Sequence, residues 1–200
     1  MPVLGITGGA ACGKSSFANL LSAFFARIQT FSADTEVSRL TDHDPRVRHE
    51  IQTILPQAYS RSGRYDRAYV RDQVFGQPEL RKALNGILHP RVREQWSRLA
   101  ASSKNKESWL LVEIPLLYET AGDTLCDRVI TVGCTAQTQI HRLTVLRGLS
   151  LTVANQIRVA QSSLEEKITR ADHLIWNDCP FNCLNRQAAL CAAWLQTHFT

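Results

Sequence analysis

Short apolar runs alternate with amphipathic stretches along this chain, the pattern of strands followed by helices. Val3 to Thr7 predicts a first strand. From Lys14 onward, Phe17, Leu20, Leu21, Phe24 and Phe25 fall at i, i+3, i+4, i+7 and i+8, which predicts a helix with one apolar stripe. Ile28 to Phe31 predicts a short second strand. Trp109–Val112 and Val129–Val132 are continuous apolar runs, as expected of strands buried on both faces, and Leu174–Trp176 predicts a fifth strand. Phe181, Leu184, Ala188, Cys191 and Leu195 share one face of a C-terminal helix. The alternation predicts an α/β protein: a five-stranded parallel sheet with helices on both faces, in three layers.

Two segments break the alternation. Residues from about Thr35 to Glu107 read as mostly helical, with Gly63 as a turn and Pro78 near a helix start. Arg147 to Arg170 reads as a polar helical excursion between the fourth and fifth strands. Both are expected as insertions at one edge of the sheet, leaving from the carboxyl ends of strands, where such folds bind ligands. The expected organisation is a nucleotide-binding core of residues 1–34, 107–146 and 171–200, a helical insert of 35–106 and a helical lid of 147–170.

At 200 residues, 44% hydrophobic and 20% charged, the composition is that of a globular chain. No apolar run approaches the roughly 18 residues of a membrane span. Met1 leads directly into Pro2–Thr7 with no basic start and no cleavage site, so a cytoplasmic protein without membrane contact is expected. The six cysteines lack paired C-x-x-C spacings. Cys179 and Cys183, four apart, could draw in His173 and His198 as metal ligands, but reduced thiols packed as small hydrophobes is the better reading. The charge is localised. Between Ser60 and Arg98, nine lysines and arginines face four carboxylates, which accounts for the entire net charge of +5. Such a segment suits a polyanionic partner, although a solvated helical face carries the same signature.

Gly8-Gly9-Ala10-Ala11-Cys12-Gly13-Lys14-Ser15 matches G-x-x-x-x-G-K-[ST] between a predicted strand and an amphipathic helix, the context this motif requires. Gly8 and Gly13 permit the dihedrals that turn successive N–H groups inward around an anion. The helix opening at Lys14 and Ser16 adds its unsatisfied N–H groups and dipole. Lys14 is placed to reach the β/γ-phosphates, and the Ser15 hydroxyl to ligate Mg²⁺. No N-K-x-D follows a later strand to read guanine: Asn105-Lys106 continues as Glu107-Ser108. The layout is that of a small-molecule kinase with ATP as phosphoryl donor. Asp34, just past the second strand, is a candidate base for an attacking hydroxyl, or with Ser32 a helix N-cap. Glu113, at the end of the third strand, suits Mg²⁺ held partly through water. Arg142 and Arg147 flank the lid and are candidates to spread the charge of the transferring phosphoryl group, unless they are surface residues.

These motifs resemble the dephospho-coenzyme A kinase family over nearly the whole chain. Gly5–Gly9 through Ser15 is similar to its opening motif, and Ala33-Asp34 resembles its D-A-D, whose last Asp is taken as base toward the 3′-hydroxyl. Leu84 to His89-Pro90 resembles L-x-x-x-x-H-P of the coenzyme A-binding insert. Glu113-Ile114-Pro115-Leu116-Leu117-Tyr118-Glu119 resembles [DE]-x-P-L-L-x-E. Arg142, Arg147, Gln156 and Gln161 fall where the family's lid carries R, R, Q and Q, and Ala171–Asn177 resembles A-D-x-x-I-x-N, whose Asn lies near adenine. The resemblance implies transfer of the ATP γ-phosphoryl group to the ribose 3′-hydroxyl of dephospho-coenzyme A, the last step of coenzyme A synthesis. It implies a P-loop kinase fold and ATP contacts from residues 8–16 (Gly8, Gly9, Ala10, Ala11, Cys12, Gly13, Lys14, Ser15, Ser16) and Asn177. Substrate contacts would come from Asp34, Arg81, His89, Leu116 and Gln161, with Arg81, Arg91 or a neighbour on the diphosphate. The expected state is a monomer or weak homo-oligomer without a nucleic-acid partner. A kinase for another nucleoside or nucleotide, or a catalytically weak nucleotide-dependent binding module, is the alternative.

Five positions depart from the family pattern. Ala11 replaces a loop glycine, and its Cβ would crowd the phosphates if its φ is positive. Cys12 stands where Ser is common; a thiol at a helix N-terminus has a lowered pKa, so an alkylator is expected to inactivate the protein and ATP to protect it. Ser32 replaces the first Asp of D-A-D, Gly148 a frequent lid Asp, and Cys179 a glycine of the base loop.

Overall fold

A computed structural model describes residues 2–103 and 108–199. Asn105-Lys106, and the expected boundary between insert and core at 106–107, lie outside the described residues. The chain divides into two compact units: one formed up to Ser32 and from Arg98 onward, the other spanning Ala33–Ser97.

The first unit holds five parallel strands, β1 (Val3–Gly8), β2 (Ile28–Ser32), β3 (Trp109–Glu113), β4 (Arg128–Gly133) and β5 (His173–Trp176), in the order β2-β3-β1-β4-β5. The three central strands are the apolar ones. Every residue of β1 is buried, whereas β2 and β5 lie at the edges and each buries one position. Helices α1 (Lys14–Ser22) and α9 (Phe181–His198) pack together on one face, with Phe17 and Leu21 meeting Leu184, Ala188, Cys191 and Leu195 over Leu4, Ile6, Ile130 and Val132. Because side chains alternate across a strand, Thr7 and Thr131 point to the opposite face. There the Thr7 hydroxyl donates to the Pro115 carbonyl at 3.2 Å, and Thr131 to the Lys167 carbonyl in α8 (Leu164–Thr169) at 3.0 Å. Helices on both faces complete the three layers. Burial of one side chain such as Phe17, which has no exposed surface, is worth about 2–3 kcal/mol.

Three expectations are corrected. Helix α1 stops at Ser22, so Phe24 and Phe25 lie beyond it; Phe25 is buried but Phe24 is 41% exposed. Phe181 does not join the buried stripe of α9 and is 67% exposed. The two insertions do not leave from one edge of the sheet. The chain departs from the carboxyl end of β2, one edge strand, and again from β4, which neighbours the other edge.

The second unit is helical: α2 (Ala33–His43), α3 (Pro45–Ile54), α4 (Arg67–Gly76) and most of α5 (Pro78–Ser103). Local chemistry sets these boundaries. The Asp44 carboxylate accepts from the N–H groups of Arg46 and Val47 ahead of α3, and Asp66 from that of Tyr69 ahead of α4. Pro45 and Pro78 each open a helix, where a missing N–H costs nothing. Inside the unit the Tyr59 hydroxyl donates to the Thr41 carbonyl at 3.0 Å, and Arg91 pairs with Glu50 at 2.6 Å.

Candidate active site

The phosphate loop joins β1 to α1. Its backbone is left-handed at Ala11 (φ +57°) and Gly13 (φ +90°). Gly13 precedes α1 with no side-chain cap, so the first N–H groups of the helix face outward as an anion site. A Cβ at Gly13 would collide with the Asn177 amide, and one at Gly8 with the Val132 carbonyl. These glycines are therefore fixed by close approach. Ala11 meets the condition set by its sequence position: an L-residue occupies the left-handed region at a cost of about 1 kcal/mol.

The loop's carbonyl oxygens are taken up from below. The Lys14 ammonium, 8% exposed, donates to Gly9 O at 2.9 Å and to Gly8 O at 3.3 Å. Arg142 donates through Nη1 to Ala11 O at 3.1 Å and through Nη2 to Asn177 O at 2.8 Å. Asn177 in turn donates from Nδ2 to Cys12 O at 2.8 Å. Gln139 Nε2 donates to Ala10 O at 3.0 Å. With these carbonyls taken up by side chains, and the Cys12 N–H turned back to Gly9 O at 3.3 Å, the loop has the form of a nest whose remaining N–H groups suit an anion.

Ser15 Oγ donates to Glu113 Oε1 at 2.6 Å, which joins the first turn of α1 to the carboxyl end of β3. A hydroxyl and a carboxylate in contact are hard oxygen donors suited to Mg²⁺, which takes one or two protein ligands and fills its shell with water and phosphate oxygens. Among the described residues no group of three or more His, Cys, Asp or Glu could hold an ion unaided.

A cleft of about 330 Å³ opens beside the loop, lined by Ala11, Gly13, Ser16, Arg142, Arg147 and Asn177 with Leu146, Phe181 and Leu184 as its apolar walls. Arg142 begins a π-helical turn (Arg142–Leu146) that continues α6 (Ala136–His141), a local distortion frequent at functional sites. Arg147 ends that turn and is exposed. A larger depression of about 480 Å³, lined by Phe24, Phe25, Arg27 and Trp109, lies at the amino ends of β2 and β3 and holds none of these side chains.

The structure thus brings together Gly8–Ser16, Glu113, Arg142, Arg147 and Asn177. Leu116, half-buried, sits in the turn after β3, whose Pro115 carbonyl is held by the fully buried Lys167 ammonium at 2.6 Å. Gln161 follows α7 (Leu151–Val159), and its Oε1 is buried without a hydrogen-bond partner among the described groups. Asp34, Arg81 and His89 belong to the second unit. Asp34 is the exposed second residue of α2, with Ser32 preceding the helix. Arg81 is exposed and His89 half-buried on α5; burial holds the imidazole below its ordinary pKa.

Sequence reasoning missed Gln139 and Lys167. Each is a polar residue buried on a short helix, a weak signal, and the carbonyl each holds lies far off in the chain, Ala10 for Gln139 and Pro115 for Lys167. The alkylation expectation is also revised. Cys12 has no exposed surface, so a reagent reaches it only after the loop opens, whereas Cys183 is exposed.

Comparison with known proteins decides the family. A family model described as dephospho-CoA kinase matches residues 2–182. The chain belongs to the dephospho-CoA kinase family. Curated relatives agree: dephospho-CoA kinase of Methylococcus capsulatus is 32% identical, covering 96% of this chain and 100% of its own, and that of Staphylococcus epidermidis is 35% identical over 88% and 86%. Among solved structures, TT1252 from Thermus thermophilus aligns with a TM-score of 0.76 at 27% identity, covering 98% of this chain and 97% of its own. Dephospho-CoA kinase from Campylobacter jejuni aligns at 0.71 with 23% identity over 99% and 98%, and shikimate kinase from Acinetobacter baumannii at 0.58 with 12% over 100% and 95%. These last two likenesses establish a shared P-loop kinase fold. Membership makes the chain a kinase of coenzyme A biosynthesis, a transferase using ATP.

Proposed function

We propose that this chain moves the γ-phosphoryl group of ATP, held on the phosphate loop, to the ribose 3′-hydroxyl of dephospho-coenzyme A. The observation that carries the assignment of roles is the braced loop with Ser15 and Glu113 in contact at its far end. The N–H groups of residues 8–16 and the Lys14 ammonium bind the triphosphate. Asn177 and the apolar walls of the cleft receive adenine. Ser15 and Glu113 hold Mg²⁺, which when bound neutralises the β- and γ-phosphate oxygens.

Asp34 accepts the proton of the 3′-hydroxyl as its oxygen attacks the γ-phosphorus, and the bond to the β-bridging oxygen breaks to release ADP. Arg142 and Arg147 stabilise the charge on the transferring group. A guanidinium has five N–H donors, so the two bonds by which Arg142 braces the loop do not exhaust it. Arg81, His89, Leu116 and Gln161 bind dephospho-coenzyme A; the orphaned Gln161 Oε1 offers an acceptor to a substrate hydroxyl or amide. No described helix is long and apolar enough to cross a membrane; the enzyme acts in the cytoplasm as a monomer or weak homo-oligomer, without nucleic acid.

The test is product analysis by mass spectrometry with ATP, Mg²⁺ and dephospho-coenzyme A, with Asp34→Asn alongside. Wild type forms coenzyme A. The variant loses about 10²–10⁴-fold in kcat, the range for a general base, and binds ATP as before. Undiminished turnover of Asp34→Asn removes Asp34 from its role, and absence of coenzyme A with wild type removes the acceptor.

A further inference from the structure

Phosphoryl transfer uses Cys12 through its backbone and Cys134 not at all, yet the two side chains meet. Cys134 follows the last residue of β4, 122 positions from Cys12, and the sulfur atoms lie 3.4 Å apart with 0% and 1% exposure. Cys12 Sγ also accepts from Gln139 Nε2 at 3.3 Å, the nitrogen that holds the Ala10 carbonyl. The site is a thiol pair with a polarised acceptor at one end.

We propose that Cys12 and Cys134 form a redox-active dithiol that closes to a disulfide under peroxide and, once closed, holds the phosphate loop in a shape that binds ATP poorly. The consequence for ATP rests on the reading of residues 8–15 as its phosphate site. Hydrogen donation by Cys134, working against burial and aided by the Lys14 charge and the Gln139 amide, lowers the Cys12 thiol to about 7, while Cys134 is pushed up as the donor of the pair. Cys12 Sγ, which accepts from both Cys134 and the Gln139 amide, is the sulfur placed to carry the thiolate. It attacks one peroxide oxygen, the O–O bond breaks, and the hydroxide released takes up from solvent the proton that Cys12 gave up on ionising and leaves as water, giving a sulfenic acid on Cys12. The Cys134 sulfur then displaces the sulfenic hydroxyl: S–S forms, S–O breaks, and the hydroxyl leaves with the Cys134 proton as a second water. A dithiol reductant reverses the bond by exchange.

Closure strains the loop. The sulfurs must approach from 3.4 Å to about 2.05 Å. Cys12 lies between two left-handed residues, Ala11 and Gly13, and its carbonyl is held by Asn177, so the loop has little slack to follow. The same movement draws Cys12 Sγ from Gln139 and loosens the bond to Ala10. Because Cys12 has no exposed surface, peroxide enters when the loop opens, and bound ATP slows the reaction by keeping it closed.

The experiment treats the whole protein with hydrogen peroxide, with and without ATP–Mg²⁺, then alkylates under denaturing conditions and maps the cysteines by mass spectrometry. The expected product is a Cys12–Cys134 cross-linked peptide two hydrogens lighter, formed more slowly with ATP. The oxidised protein binds ATP about tenfold more weakly, a change of 1.4 kcal/mol, and dithiothreitol restores it. Cys134→Ala keeps basal activity and forms no bridge; Cys134→Ser, checked by thermal melting, serves if the alanine variant is unstable. A bridge confined to Cys179 and Cys183, or a Cys12–Cys134 bridge with unchanged ATP affinity, overturns the proposal. Reduced Lys14→Ala is a separate arm: unchanged ATP binding there refutes the phosphate-loop reading, whatever the mass spectra show of the bridge.

Discussion

Lys167 is the side chain whose loss the structure predicts most sharply. It is fully buried in α8, donating to Pro115 O at 2.6 Å and pairing with Glu119 at 3.0 Å. Lys167→Met keeps the aliphatic stem and removes the charge, leaving a carboxylate without its partner. Breaking a buried ion pair costs about 3–5 kcal/mol. The Glu119 side chain is 22% exposed and still accepts from the Ser162 N–H at 2.8 Å, so the lower end applies, about 3 kcal/mol. For a chain of this size that lowers Tm by about 6–12 °C. Burial raises the Glu119 pKa, but the hydrogen bond and charge of Lys167 with the Ser162 N–H outweigh it, and the net value is lowered. A depressed carboxylate stabilises above its unfolded value, about 4.3, and loses that contribution as pH falls through the folded value. Melting curves of wild type, Lys167→Met, Glu119→Gln and the double variant at pH 7 and pH 3 read both effects. The single variants should be strongly non-additive at pH 7 and the coupling should fade at pH 3. Since Pro115 precedes Leu116, Lys167→Met should also raise KM for dephospho-coenzyme A while leaving ATP affinity near wild type. A Tm loss under about 2 °C, or additive single variants at pH 7, would refute this account of the pair.

Two further outcomes follow from the loop. Ala11→Gly relieves left-handed strain worth about 1 kcal/mol, but the entropy glycine gains on unfolding, about 0.4–1 kcal/mol, takes back much of it, so thermal melting should show a rise in Tm of no more than about 2 °C. Glu113→Gln removes the carboxylate in contact with Ser15; activity titrated with Mg²⁺ should show the half-saturating concentration raised at least about tenfold, with ATP binding in the absence of metal little changed.

Much of this protein was legible in one dimension because its signals are local. The phosphate loop is eight consecutive residues whose glycines, lysine and serine act through nearby backbone, so Gly8–Ser15 could be read without a fold. The central strands β3 and β4 announced themselves as continuous apolar runs because both faces are covered, and β1 as the strand that leads into the phosphate loop. Edge strands and helix ends were less legible: the stripe from Phe17 to Phe25 has helical spacing throughout, yet α1 ends at Ser22 and Phe25 is buried from the loop beyond it. Periodicity records which residues seek the core without recording which element carries them there.

What only the tertiary structure decided is who holds whom. Nothing local marks Gln139 as the clamp on Ala10, Lys167 as the partner of Glu119, or Arg142 as a brace on the loop as well as a candidate for the phosphoryl group. Nothing local sets the Cys12 and Cys134 sulfurs 3.4 Å apart. A hydrogen bond or ion pair between positions tens of residues apart leaves no period in a single sequence, because its partners meet only after the strand order β2-β3-β1-β4-β5 brings distant turns to the same end of the sheet. The sequence by itself determined the chemistry available and the fold class; the packing of β1, β3, β4 and the helices beside them decided which groups that chemistry could join.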